Sequence, residues 1–163
     1  MAKLDIVFGP MFAGKSSYLI KQIRLLNVLN KNYIVIKPLI DTRYSEKDIV
    51  SHNMDKEPCL CMDNIQNIFS HDLSIIHTIF IDEAQFFHNL KRTVIELLET
   101  YNINVYIVGL DGDFNREKFG EILDLIPYAD SCIKINSLCK ICMDGTPGIF
   151  SKRISKDQDQ SLI

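Results

Sequence analysis

Leu4-Asp5-Ile6-Val7-Phe8-Gly9-Pro10-Met11-Phe12-Ala13-Gly14-Lys15-Ser16 decides how the rest of the chain is read. Five mostly apolar residues make a short buried strand, and Gly9-Pro10 stops it. Residues 9–16 fit the G-x-x-x-x-G-K-[ST] phosphate loop. Beyond them, Leu19, Ile20, Ile23, Leu26 and Val28 recur at the spacing of an amphipathic helix over residues 16–29. A strand before and a helix after is the setting that gives this motif its meaning. The glycines let the backbone curl until successive N–H groups face phosphate oxygens, and the helix N-terminus adds its dipole. Lys15 is then expected to reach the β- and γ-phosphates of a nucleotide, and the Ser16 hydroxyl to ligate Mg²⁺.

Working outward, residues 33–36 form a second β-rich run that ends at Pro38. Residues 75–81 form a third, with His77 and Thr78 inside it, and residues 105–108 a fourth, closed by Gly109. Residues 90–101 read as a helix with Val94, Leu97, Leu98 and Tyr101 on one face. Alternating β and α with near-continuous apolar strands predicts an α/β fold. It is a P-loop NTPase-type parallel β-sheet with flanking helices. Ligands of such sheets sit beyond the carboxyl ends of the strands. The polar segments there are residues 9–16, 41–44, 82–85 and 111–116. Residues 42–61 are polar and are expected to be an irregular loop. Residues 133–135 are a candidate fifth strand. The reading is therefore a nucleotide-binding domain over residues 1–135 and a small appendage over residues 136–163.

Composition narrows the function classes. The 163 residues are 47% hydrophobic and 24% charged, which excludes a disordered chain. A net charge of −3 argues against broad nucleic-acid binding, which runs on surplus Lys and Arg. No apolar run approaches the ~18 residues of a membrane span, and no signal-peptide pattern opens the chain. Five cysteines, Cys59, Cys61, Cys132, Cys139 and Cys142, with no export signal, read as reduced thiols in the cytoplasm. Cys59, Cys61 and Cys132 are expected to pack as small hydrophobes. The methionines other than Met11 are expected to fill the core, His77 to be packed, and Lys152-Arg153 to be a solvated pair.

Three further groups carry chemistry. Ile79-Phe80-Ile81-Asp82-Glu83 is a strand ending in two acids, where phosphate-loop proteins hold the Mg²⁺ shell. Asp82 takes that part. Glu83 is left either to accept a proton from a substrate hydroxyl or to activate water, and the strand alone does not separate the two. The loop over residues 111–120 brings Phe114 and Phe119 near a nucleotide site, where they can line a slot for a flat base or simply fill the core. Cys139-Lys140-Ile141-Cys142 has zinc-ligand spacing but only half the four ligands of a structural zinc.

These pieces together resemble the type II thymidine kinases. The resemblance runs in family order from residue 6 to residue 154. It rests on the phosphate loop, Asp41-Thr42-Arg43-Tyr44, Ser51-His52-Asn53, Ile81-Asp82-Glu83-Ala84-Gln85-Phe86-Phe87 and Leu110-Asp111-Gly112-Asp113-Phe114. Lys118-Phe119-Gly120, the Cys139/Cys142 pair and Phe150-Ser151-Lys152-Arg153 complete it. It implies transfer of the ATP γ-phosphate to the 5′-hydroxyl of thymidine, with deoxyuridine as an alternative acceptor, to give dTMP for DNA synthesis. Glu83 is then the general base and Asp82 acts through Mg²⁺. Met11, Phe86, Leu110, Phe114 and Phe119 enclose base and sugar, Ser151 sits near the base, and Arg43 reaches toward the transferring phosphate. Gln160, Ser161, Leu162 and Ile163 stand where the family's base-binding strand begins. The family's Gly-Gly and Tyr positions and its second pair of zinc ligands have no counterpart here. The appendage is thus expected to be an incomplete zinc-binding and substrate-lasso element, and the phosphate loop, distant in sequence, to need none of it. The resemblance also implies a homotetramer. The rival readings are a phosphate-loop ATPase and a catalytically impaired relic of the family.

Overall fold

The strand that ends in the phosphate loop lies one place in from the edge of a six-stranded sheet. The computed structural model describes residues 1–40, 48–50, 56–153 and 159–160. Strand β1 (Leu4–Phe8) is followed by helix α1 (Lys15–Val28) and strand β2 (Tyr33–Pro38). Strands β3 (Asp48–Val50) and β4 (Lys56–Pro58) form an antiparallel pair, and β5 (Leu60–Met62) follows. After a 3₁₀ turn over Ile65–Ser70 come β6 (Thr78–Ile81), helix α2 (Leu90–Glu99) and β7 (Asn104–Gly109). A second 3₁₀ stretch, Ile122–Tyr128, leads into β8 (Ser131–Lys134). Strands β9 (Ser137–Leu138) and β10 (Pro147–Gly148) close a short antiparallel hairpin.

The sheet order is β5-β2-β6-β7-β1-β8, and its neighbouring strands pair in parallel. Successive residues of a strand point to opposite faces, so each strand feeds two cores. Ile6, Ile36, Ile79, Ile81 and Ile107 face α2 and the 3₁₀ turns, packing on Leu90, Val94 and Leu97. Val7, Val35, Phe80, Tyr106 and Val108 face α1 and meet Leu19, Ile20 and Ile23. Helices on both faces and a parallel sheet bear out the α/β expectation.

Several local expectations fail for identifiable reasons. Residues 42–61 are not all irregular: β3, β4 and β5 fall among them, and β5 joins the sheet beside β2. At three residues each they are too short for periodicity to reveal them; the pairing partners decide. Val28 is exposed although the helical pattern included it, because α1 outruns the sheet it covers. Helix α2 ends at Glu99, so Tyr101 lies beyond it, stacked on Phe69 with ring centroids 5.3 Å apart. Met62 is core, but Met1 and Met143 are exposed. His77 precedes β6 and is exposed, its Nδ1 2.8 Å from the Thr78 hydroxyl. Cys132 is exposed on the edge strand, whereas Cys59 packs against the α1-side core.

Candidate active site

The phosphate loop leaves β1 through a backbone that only particular residues tolerate. Gly9 has φ 154°, and a Cβ there would stand 2.0 Å from the Ile135 carbonyl oxygen. Its N–H donates to the Gly109 carbonyl at 3.3 Å, which ties the loop to the end of β7. Phe12 and Gly14 both have positive φ, at 62° and 84°, so the chain winds twice through the left-handed region before α1 begins. Gly14 caps α1 and its carbonyl takes the Tyr18 N–H at 3.0 Å. Lys15 is 7% exposed, and its Nζ donates to the Pro10 carbonyl at 2.8 Å across the loop. Burying an ammonium is costly unless it is hydrogen-bonded, and this bond holds the charge inside the curl.

Across β7 from β1 lies β6, whose end brings the acids to the same edge. Asp82 is 3% exposed. The Ser16 hydroxyl donates to its Oδ2 at 3.3 Å, and the Glu83 N–H to its Oδ1 at 3.0 Å. Glu83, two residues past the end of β6, has φ 47°, an uncommon conformation for a residue with a long side chain. That turn separates two consecutive carboxylates: Asp82 points back to α1, while the Glu83 Oε2 accepts from Gln85 Nε2 at 2.6 Å.

Gln85 is the residue that sequence reasoning missed. It is 3% exposed, and its Oε1 accepts the Leu110 N–H at 2.9 Å while its Nε2 holds Glu83. It spans from the acidic strand end to the loop after β7. Gly109 makes room for it, since a Cβ there would stand 2.5 Å from Gln85 Oε1. A polar residue three places after a strand-end acid was the available signal; its burial was not visible.

The aromatic slot forms on the same side. Phe86 and Phe119 meet edge to face with centroids 5.4 Å apart. Leu110 and Phe119 are buried, and Phe114 is half-buried. Asp113 organises the loop between them: its Oδ1 accepts the Asn115 and Glu117 N–H groups, and its Oδ2 the Gln160 amide at 2.9 Å. Arg153 lies over the Phe114 ring at 4.0 Å and donates to the Asp159 carbonyl, so it is not a solvated residue as expected. Lys152 is exposed. Ser151 accepts the Met11 N–H at 2.9 Å. Arg43, His52, Ser161, Leu162 and Ile163 lie outside the described residues.

The appendage corrects one expectation. It does reach the phosphate loop, through Ser151 on Met11 and Lys140 on Phe12, next to Ile135 on Gly9 just before it. Distance along the chain concealed this, because β8 pairs with β1 and returns the chain to the loop. Cys139 and Cys142 lie in the turn of the β9–β10 hairpin, where the Cys142 N–H donates to Cys139 Sγ at 3.4 Å. The Cys142 N–H, then that of Ile141, holds the Cys139 thiol below its usual range, and the neighbouring Cys139 sulfur pushes Cys142 up. Among the described residues no group of three or more His, Cys, Asp or Glu gathers as a metal site. The two thiols fit half of a tetrahedral zinc shell. Among the described residues no helix is long and apolar enough to cross a membrane.

A phosphate loop on a parallel sheet, with an acidic pair two strands further in, defines a phosphate-loop enzyme acting on a nucleoside triphosphate. The thymidine kinase family model matches residues 2–163. A thymidine kinase of Mycoplasma mobile is 35% identical over 160 residues, covering 98% of this chain and 79% of that relative. The chain belongs to the thymidine kinase family: it is an ATP-dependent enzyme, and its reaction is the phosphorylation of thymidine. The readings as a bare ATPase or an impaired relic are not favoured.

Proposed function

We propose that the transfer runs through Glu83 as general base on the thymidine 5′-hydroxyl, beside a phosphate loop that holds ATP. The observation that carries this is the pairing of Ser16 Oγ with Asp82 Oδ2 at 3.3 Å, with Glu83 turned away from that pair toward Gln85. Asp82 thereby serves the metal side, and Glu83 is directed to a different side for the acceptor. Ser16 and Asp82 offer the oxygen donors that Mg²⁺ prefers, and they would hold it against the phosphates. Bound there, Mg²⁺ supplies charge neutralisation at the transferring group.

Residues 9–16 cradle the phosphates, with the backbone N–H groups of residues 13–16 as donors, since Pro10 has none and those of Gly9 and Met11 are bonded within the protein. Lys15 exchanges its Pro10 carbonyl for phosphate oxygens. Glu83 removes the proton from the 5′-hydroxyl as the oxygen attacks, and Gln85 fixes the carboxylate's direction. Met11, Phe86, Leu110, Phe114 and Phe119 enclose the base and sugar. Ser151 and Gln160 approach from the appendage, with Ser161, Leu162 and Ile163 next in the chain. Most of the rate then comes from position and charge, because phosphoryl transfer has a loose transition state.

We assign nucleotide binding to residues 1–135 and the lasso to residues 136–163, with Cys139 and Cys142 as half of an incomplete zinc site. The family resemblance further supports a homotetramer in the cytoplasm, and deoxyuridine as a second acceptor.

The test is ADP release with and without thymidine. Release should depend on the nucleoside, and Glu83→Gln should lower turnover by roughly 10²–10⁴ while ATP and thymidine still bind. Near-normal turnover in that variant would remove Glu83 from the role. Equal release without nucleoside would favour water as the acceptor.

A further inference from the structure

The turn that carries the two cysteines touches the phosphate loop at a point the reaction does not explain. Lys140 stands between Cys139 and Cys142, and its Nζ lies 3.9 Å from the centroid of the Phe12 ring. Phe12 is half exposed and has φ 62°. A bulky residue at positive φ is an outlier that its surroundings must hold in place. Two neighbouring loop positions are braced by the same part of the chain. Gly9 packs against the Ile135 carbonyl, and the Met11 N–H donates to Ser151 Oγ at 2.9 Å. Three positions of the cradle, 9, 11 and 12, are thus braced by residues 135–151.

We propose that Lys140 is a positioning residue for ATP, and that through it the Cys139–Cys142 turn and the phosphate loop are energetically linked. This rests on the reading of residues 9–16 as the ATP phosphate site. An ammonium over an aromatic face is attracted by the ring's quadrupole. Here that attraction favours the one loop conformation in which Phe12 is at positive φ. It is also the conformation in which the neighbouring N–H groups are curled, so less ordering remains to be done when ATP arrives. The place of Lys140 is set in turn by its flanking cysteines. The Cys142 N–H donates to Cys139 Sγ at 3.4 Å, the Met143 N–H to the Cys139 carbonyl at 3.1 Å, and the Cys139 N–H to the Thr146 carbonyl at 2.8 Å. Whatever reshapes this turn moves Lys140 relative to Phe12. Coupling between two sites is reciprocal, so ATP binding steadies the turn by the same factor.

The experiment is calorimetry of Mg-ATP binding to the full chain, with steady-state kinetics beside it. Lys140→Gln should raise the ATP Kd about two- to fivefold, the size of one exposed cation–π contact. Thymidine KM and kcat at saturating ATP should stay as in the unaltered protein. Lys140→Arg should restore ATP affinity, since a guanidinium stacks on the same ring. Phe12→Leu should cause a similar rise, and the double variant should be no weaker than the worse single. Cys139→Ser should raise the ATP Kd, with no further rise when combined with Lys140→Gln. Ile141→Ser, at the exposed tip of the turn, serves as the control. Unchanged ATP affinity in Lys140→Gln, or additive effects of Lys140→Gln and Phe12→Leu, overturns the positioning role. Unchanged affinity in Cys139→Ser overturns the link to the turn. If instead Lys15→Ala binds ATP as the unaltered protein does, the phosphate-site reading itself has failed.

Discussion

Replacing Gln85 by Met should injure stability and turnover together, for two reasons that a second variant separates. Gln85 is 3% exposed and makes both its bonds to groups that need them. Losing Oε1 leaves the Leu110 N–H, at 2.9 Å in the present structure, with no acceptor in a buried position. An orphaned buried donor costs about 1–3 kcal/mol. Losing Nε2 removes a charge-assisted bond to Glu83, worth about 1 kcal/mol once the half-buried setting is allowed for. Together the loss is about 2–4 kcal/mol, or roughly 5–15 °C in Tm for a chain of this size. Without its anchor the Glu83 carboxylate samples other rotamers, and kcat should fall about tenfold, part of the ~10²–10⁴ that a general base supplies. Gln85→Glu keeps an acceptor for Leu110 but loses the donor to Glu83 and buries a second carboxyl group beside it. That variant should also lose turnover, which ties the kcat effect to the Glu83 bond and not to the Leu110 one. Thermal melts and ADP release measure both. A Gln85→Met protein that melts within 1–2 °C of the original and turns over normally would refute the assignment.

Gly9→Ala should cost about 2–4 kcal/mol and weaken ATP binding, because the added Cβ meets the Ile135 carbonyl at 2.0 Å and φ is 154°; denaturant titration and ATP calorimetry measure the two effects. Burial, then the Asp130 carboxylate, raise the Asp5 carboxyl above its ordinary 3.8, so the folded state holds that proton more tightly than the unfolded one. Stability should therefore decline as pH rises from 3.8 through the raised value, and Asp5→Asn should remove this decline and melt higher at neutral pH. Equal melting curves for the two proteins from acid to neutral pH would contradict it. Elemental analysis of the purified chain should find less than one zinc per chain, since two thiolates are half a shell; one tightly held zinc would mean that other residues complete it.

The strands and helices nearest the phosphate loop were legible because they are strongly patterned. Residues 4–8 and 79–81 are apolar enough to read as buried strands, and Gly14-Lys15-Ser16 announces the start of α1. Asp82 and Glu83 were legible as strand-end acids. The φ of 47° that separates their directions was not, since nothing in Asp-Glu-Ala-Gln signals a left-handed residue. Gln85 was invisible as an anchor because its two partners, Glu83 and Leu110, meet only when β6 and β7 pair. Strands β3 to β5 are three residues each, too short to show a period, and depend on their pairing. The bracing of residues 9–12 by residues 135–151 is a product of topology, of β8 closing on β1, and no local pattern encodes it.

That bracing has a consequence in time. A ribosome delivers the phosphate loop early and its supports late: Gly109, then Ile135, then Ser151. At ~5–20 residues per second the interval between Ser16 and Ser151 lasts about 7–27 s. Throughout it the nascent chain carries a finished motif without a finished cradle. ATP therefore meets a less ordered cradle on the nascent chain than on the finished one. Its stabilisation is greatest once the last sheet strand and the cysteine turn have docked.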